Sequence, residues 1–190
     1  SSISIPYFFA IDKDKNFTLT NRFYASQSPL FIGEYHQAFK NSYLMTDFGY
    51  TDGYERSSDK KKSGNRSHFF SYFTKNFENE GGSKSSLTLS LQDTSNDKYL
   101  KLYKIKSNLV DYEKDSLESY INFTHENEDL FVGLDASVYE TLKESYNDKY
   151  EYILPELTVD KNLFSNNEFG NLDFQSNFKP CFWKCGSQVV

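Results

Sequence analysis

Between Leu130 and Tyr139 the chain alternates without a break. Leu130, Val132, Leu134, Ala136 and Val138 take every second position, with Phe131, Gly133, Asp135, Ser137 and Tyr139 between them. The preceding segment repeats the pattern, Leu117, Ser119, Ile121 and Phe123 alternating with Glu118, Tyr120, Asn122 and Thr124. A period of two places each set on one face of an extended strand, and no helix presents such a face. The acidic run Glu126-Asn127-Glu128-Asp129 separates the two segments and reads as the turn of a hairpin. The hairpin motif recurs along the chain, which predicts an all-β protein built as an antiparallel up-and-down meander.

Strand candidates fall at 3–11, 17–25, 30–39, 42–51, 67–77, 86–92, 99–105, 116–125, 130–139 and 150–159, with a weaker one at 169–178. Most have close to the ~9–11 residues that a tilted strand needs to cross a bilayer. Turn-formers connect them, as in Asp12-Lys13-Asp14-Lys15-Asn16, Asn79-Glu80-Gly81-Gly82, Asn147-Asp148-Lys149 and Ser165-Asn166-Asn167-Glu168. Asp52 to Arg66 reads as the longest connection, almost wholly polar. Spacing is mixed over Asn96–Tyr112, and Tyr139–Tyr150 is compatible with a helical turn.

Composition sharpens the question of solvent. The chain carries 18 Phe and 15 Tyr, yet only 37% of its residues are hydrophobic, and the mean hydropathy is −0.70. A transmembrane barrel accounts for that mixture, with a polar lumen, an apolar exterior and aromatic girdles. A soluble sandwich or jelly roll with a Phe/Tyr core accounts for it as well. No run approaches the ~20 apolar residues of a membrane helix. Ser1 follows no initiator Met and no signal-like segment, so the chain reads as mature or as part of a longer product. A net charge of −6 disfavours nucleic acid as a partner.

Chemistry-bearing motifs are sparse. His36, His68 and His125 lie on separate strand candidates without metal-ligand spacing, which predicts solvated or lumen-facing side chains. No nucleophile elbow, phosphate loop or zinc motif is present, so no residue is assigned as catalytic, metal-binding or cofactor-binding. A barrel enzyme would need a Ser–His or acid–base cluster on facing strands. Asn16-Phe17-Thr18, Asn65-Arg66-Ser67 and Asn122-Phe123-Thr124 match the glycosylation pattern, as chance allows in a chain rich in Asn, Ser and Thr. Arg56, Lys60, Lys61, Lys62 and Arg66 could hold lipid phosphates, although a solvated loop explains them more simply. Cys181 and Cys185 flank Phe182 and Trp183 in a segment that reads as an irregular tail.

Three early motifs follow in order: Ile5-Pro6-Tyr7-Phe8-Phe9-Ala10-Ile11, Phe17-Thr18-Leu19-Thr20 and Pro29-Leu30-Phe31-Ile32-Gly33-Glu34-Tyr35. Asp97-Lys98-Tyr99-Leu100-x-x-Tyr103 and Ile153-Leu154-Pro155-Glu156-Leu157 come further on. Together they resemble the start of the barrel domain of the LptD family, the lipopolysaccharide-assembly (organic-solvent-tolerance) proteins of the outer membrane. The resemblance implies that residues 1–178 are part of a large outer-membrane barrel, its first strands, with 179–190 an atypical tail that a truncation or frame shift would explain. It also implies a non-enzymatic function, the insertion of lipopolysaccharide into the outer leaflet of a Gram-negative outer membrane. The implied partners are lipopolysaccharide, a plug lipoprotein, a periplasmic bridge protein and outer-membrane lipid, with a periplasmic jelly roll preceding the barrel. Pro6, Tyr7 and Asn21 become candidates for a lateral gate, since a proline weakens the ladder of an edge strand. The family commonly places a second proline where this chain has Asn21. In this reading Glu118, Asn122, Asp135 and Ser137 face the lumen. A soluble secreted or surface binding domain remains the alternative reading.

Overall fold

In the computed structural model, which describes residues 1–58, 61–78, 81–143, 149–166 and 170–180, ten strands form one antiparallel sheet in strict chain order. They are β1 (Ser2–Asp12), β2 (Lys15–Tyr24), β3 (Leu30–Phe39), β4 (Ser42–Ser58), β5 (Lys61–Glu78), β6 (Lys84–Thr94), β7 (Ser116–Asn127), β8 (Leu130–Thr141), β9 (Tyr150–Asn166) and β10 (Gly170–Phe178). The all-β meander is therefore the observed fold. The sheet is open, with β1 and β10 as its edges.

Register shows what the alternation does. Thr74, Thr88, Asn122, Asp135 and Glu156 are successive Cα partners from β5 to β9. One residue along, Lys75, Leu87, Phe123, Leu134, Leu157 and Phe178 form the neighbouring row from β5 to β10. Adjacent rows point to opposite sides of a pleated sheet. One face is thus a band of Phe, Leu, Ile, Val and Tyr, and the other is mostly Thr, Ser, Asn, Asp and Glu. The apolar face is not covered. Ile3, Phe9, Ile11, Phe48, Phe69, Leu91, Ile121, Leu157, Phe174 and Phe178 are all exposed.

Over the first four strands this face carries an aromatic row. Phe9 stacks on Phe17 with centroids 6.1 Å apart, and Phe17 stacks on Phe48 at 6.2 Å. The row passes over β3 at Gly33, where an added Cβ would lie 2.4 Å from Phe48 Cζ. The missing side chain is what lets the Phe48 ring lie flat across the strand.

The two ends of the sheet differ. Lys13-Asp14, Lys40-Asn41 and Glu128-Asp129 are two-residue turns, all at the end opposite Ser1. At the Ser1 end the links 25–29 and 142–149 are longer, and the longest is the insert 95–115 between β6 and β7. The insert contains a short helix, α1 (Tyr99–Tyr103). The expected strand at 99–105 is therefore overturned. Tyr99, Leu100 and Tyr103 share one side of a helical turn and are buried there, and the Lys98 amide donates to Asn96 Oδ1 just before it. Ile105 and Val110 join them against Leu30, Ile32, Phe70, Leu117 and Leu142 in a buried core. That core lies on the polar face, because Leu30, Ile32 and Phe70 occupy polar-face rows of β3 and β5.

A second expectation is corrected at Asp52–Arg66. The polar stretch is mostly strand, since β4 runs to Ser58 and β5 starts at Lys61, with Gly53 opposite Ser63 and Ser58 opposite Lys61. Ladder bonds join backbone groups, so a hairpin can extend past its apolar band with polar side chains. The weaker segment at 169–178 is strand β10.

Candidate functional site

The polar face between β5 and β9 forms an open groove of about 480 Å³. Tyr72 and Tyr120 stand on either side of Ser90, which is the Cα partner of both. Ser90 itself is buried, and the two rings line the groove. The row Thr88–Asn122–Asp135–Glu156 runs beside them. Glu118, Asn122, Asp135 and Ser137, singled out from the alternation, all line this groove. Asn122 Nδ2 donates to Asp135 Oδ1. Tyr139 Oη donates to Glu118 Oε1 at 2.6 Å, and Asn177 Nδ2 donates to Glu156 Oε1 at 2.7 Å. Lys179 Nζ adds an ion pair to Glu156 at 2.9 Å. Each carboxylate thus engages through one oxygen in these bonds and keeps a second as an acceptor.

The remaining candidates lie apart from the groove. Pro6 is on the edge strand β1 opposite Thr20, and Ile5 is opposite Asn21. Tyr7 is exposed on the apolar face, and Asn21 Oδ1 is buried without a hydrogen-bond partner. The three histidines have different surroundings. His36 is half-buried and packs edge-on to Tyr43. His125 Nδ1 lies 2.8 Å from Ser85 Oγ across β6 and β7. This Ser–His pair meets the first condition for a barrel enzyme, but among the described residues no carboxylate orients His125. The glycosylation triplets lie within β2, β5 and β7. Among the basic candidates only the Arg66 side chain is described, because the side chains of 54–63 lie outside the described residues, as do Cys181 and Cys185.

His68 lies on the polar face, as a lumen-facing side chain would, but it is not solvated. It is 3% exposed. Its Nε2 lies 2.6 Å from Asp47 Oδ1, and its Nδ1 lies 3.3 Å from Tyr99 Oη. Gly49 makes room for it, since a Cβ there would lie 2.4 Å from His68 Cε1. The insert seals the three side chains from solvent, so as arranged they dock α1 onto the sheet. Beside them, Arg22 Nη1 donates to the Tyr103 carbonyl, and Tyr24 packs edge-on to Tyr103. Burial pushes the Tyr99 phenol above its usual range, with Tyr103 and Asp47 adding to the effect.

Ion pairs fasten the rim of the insert. Lys149 Nζ lies 2.7 Å from Glu140 Oε1 and 3.0 Å from Asp97 Oδ1. Its hydrogen bond to Glu140, followed by that to Asp97, holds the ammonium above its ordinary pKa. Asp115 pairs with Lys101 and, at 3.6 Å, with Lys143. The Lys101 ammonium holds its carboxyl below the usual carboxylate range. Among the described residues no group of three or more His, Cys, Asp or Glu could hold a metal ion.

No protein-family model matches the chain, and a search of curated proteins finds no match.

Proposed function

We propose that this chain forms part of an outer-membrane β-barrel that inserts lipopolysaccharide into the outer leaflet. The supporting observation is the uncovered apolar face, sustained from β1 to β10 and backed by a polar one. Water disfavours so large an apolar surface, whereas the hydrocarbon core of a bilayer matches it. Lipid also leaves unpaired ladder groups unsatisfied, so in a membrane the edges β1 and β10 must be paired by further strands. The family resemblance in the order of Ile5–Ile11, Phe17–Thr20 and Pro29–Tyr35 supplies the lipopolysaccharide part of the reading. The polar face then carries the sugar and phosphate head, and the acyl tails stay toward a seam at β1, where Pro6, Tyr7 and Asn21 lie. A plug lipoprotein and a periplasmic bridge protein are the partners in this reading.

The test places a photoreactive residue at Asn122 or at Leu134 in the intact gene product and irradiates growing cells. Outer-membrane fractionation with a lipopolysaccharide adduct from Asn122 is the expected result. A monomer that stays in buffer without detergent would instead favour the soluble binding domain. Lipid hydrolysis that disappears on Ser85→Ala would favour the enzyme.

A further inference from the structure

We infer that the groove between Tyr72 and Glu156 is a subsite for uncharged sugar residues and turns phosphorylated ones away. The inference rests on the barrel reading for its biological ligand, but the chemistry is that of the groove alone. Tyr72 and Tyr120 are two strands apart, about 10 Å at the usual strand spacing. Both rings border the groove, whose volume of about 480 Å³ takes a pyranose ring packed on a tyrosine face. Such a ring presents an apolar C–H face and a hydroxyl edge. Directly alongside runs the edge it would meet: Asn122, Asp135 and Glu156, with Glu118 nearby.

Charge sets the selectivity. The groove is lined by three carboxylates and, among the described residues, by no lysine or arginine. Free carboxylate oxygens accept hydroxyl protons in strong, charge-assisted bonds. The same oxygens repel a phosphate, most of all at Glu118 and Asp135. Lys179, at the border, is engaged with Glu156. A lipid glycan with both kinds of sugar would therefore rest its neutral residues here and keep its phosphates elsewhere.

The experiment uses the full chain in detergent with a chelator present. It compares maltotetraose with the singly phosphorylated form of the same sugar by calorimetry and saturation-transfer NMR. Maltotetraose is expected to bind at least about tenfold more tightly. Asp135→Asn keeps the shape and should narrow that ratio, because it weakens the bonds to the neutral sugar and lifts part of the repulsion on the phosphorylated one. Tyr120→Ala should abolish neutral binding, and Tyr120→Phe should retain it. Equal binding of the two sugars, or no binding by a chain that still partitions into detergent, overturns the subsite and leaves the barrel reading intact. Sugar binding by a chain that is monomeric in plain buffer keeps the subsite and removes the membrane.

Discussion

Asp47 Oδ1 and His68 Nε2 meet at 2.6 Å between β4 and β5, beneath a segment that begins nearly thirty residues later in the chain. Neither side chain has solvent to fall back on, and His68 passes the contact on to Tyr99 in α1. The sheet thereby holds the insert by a polar link as well as by apolar packing.

Breaking that link should loosen the insert before it disturbs the sheet. His68→Ala removes a buried partner of Asp47, a change that costs about 1.5–3 kcal/mol for a hydrogen bond to a charged group. Tyr99→Phe should cost nearer ~1 kcal/mol. Amide exchange is expected to speed up across 96–112 in both variants, with β7 and β8 unchanged. Equal acceleration in those strands would show that the insert and sheet unfold together.

Leu134 and Asp135 are neighbours on opposite faces, which makes them a paired probe of the medium. Leu134→Arg should cost about 2–4 kcal/mol if that position lies near mid-membrane. Asp135→Arg should be mild. The check is unfolding by denaturant in a lipid bilayer, and equal costs would sink the assignment of faces.

Gly33→Ala is expected to destabilise by about 1–3 kcal/mol, the usual range for overpacking. Its Cβ would strike the Phe48 ring and part Phe48 from Phe17. Phe48→Leu in the same chain should recover much of the loss. A double-mutant cycle on thermal unfolding measures the coupling directly.

The insert's rim should respond to pH at both extremes. Lys149 has a raised pKa in the folded chain, so its stabilising effect is complete below the unfolded lysine value of about 10.4. It is lost as pH climbs through the raised value. Asp115 has a lowered pKa, so its effect is complete above about 3.9 and is lost as pH falls through the lowered one. Both groups are solvent-accessible, so salt should weaken both effects. Limited proteolysis within 104–109 should therefore be slow at neutral pH and faster in strong alkali. Lys149→Met should lift the neutral rate and flatten its alkaline rise.

Sidedness separates the family reading from the barrel reading alone. A periplasmic jelly roll before β1 would bring the chain in from the periplasm, placing the turns at 13–14, 40–41 and 128–129 outside the cell. Barrels in general keep their short turns on the periplasmic side. Asp129→Cys lies in such a turn. Labelling by an impermeant thiol reagent on whole cells is the outcome that the proposed function expects. Protection there would argue against a periplasmic domain ahead of β1 while leaving the membrane assignment standing.

The alternation at Leu130–Tyr139 announced β8 because each residue's face depends only on its neighbours along the strand. The same held for β7, whose observed span of Ser116–Asn127 extends the expected one by two residues at the end. α1 was hidden for the opposite reason. A five-residue helix has little stability of its own and is held by packing against Leu30 and Phe70, which only the folded sheet provides. Parity puts His68 on the polar face, and only its burial is invisible in the sequence. Nothing in Ser67-His68-Phe69 reveals that Asp47 will lie within reach or that Tyr99 will close over the top. The groove was half legible: parity put Glu118, Asn122, Asp135 and Ser137 on one face, but Tyr72 and Thr88 joined them only through pairings across β5, β6 and β7.

The aromatic row Phe9–Phe17–Phe48 has a mechanical consequence for β1. An edge strand with a proline would ordinarily peel away one ladder bond at a time, like tape. With rings interlocked from β1 to β4, peeling must also part the stacked faces. Any opening at this border is therefore cheaper as the swing of a four-strand panel, hinged beyond β4, than as the fraying of a single strand.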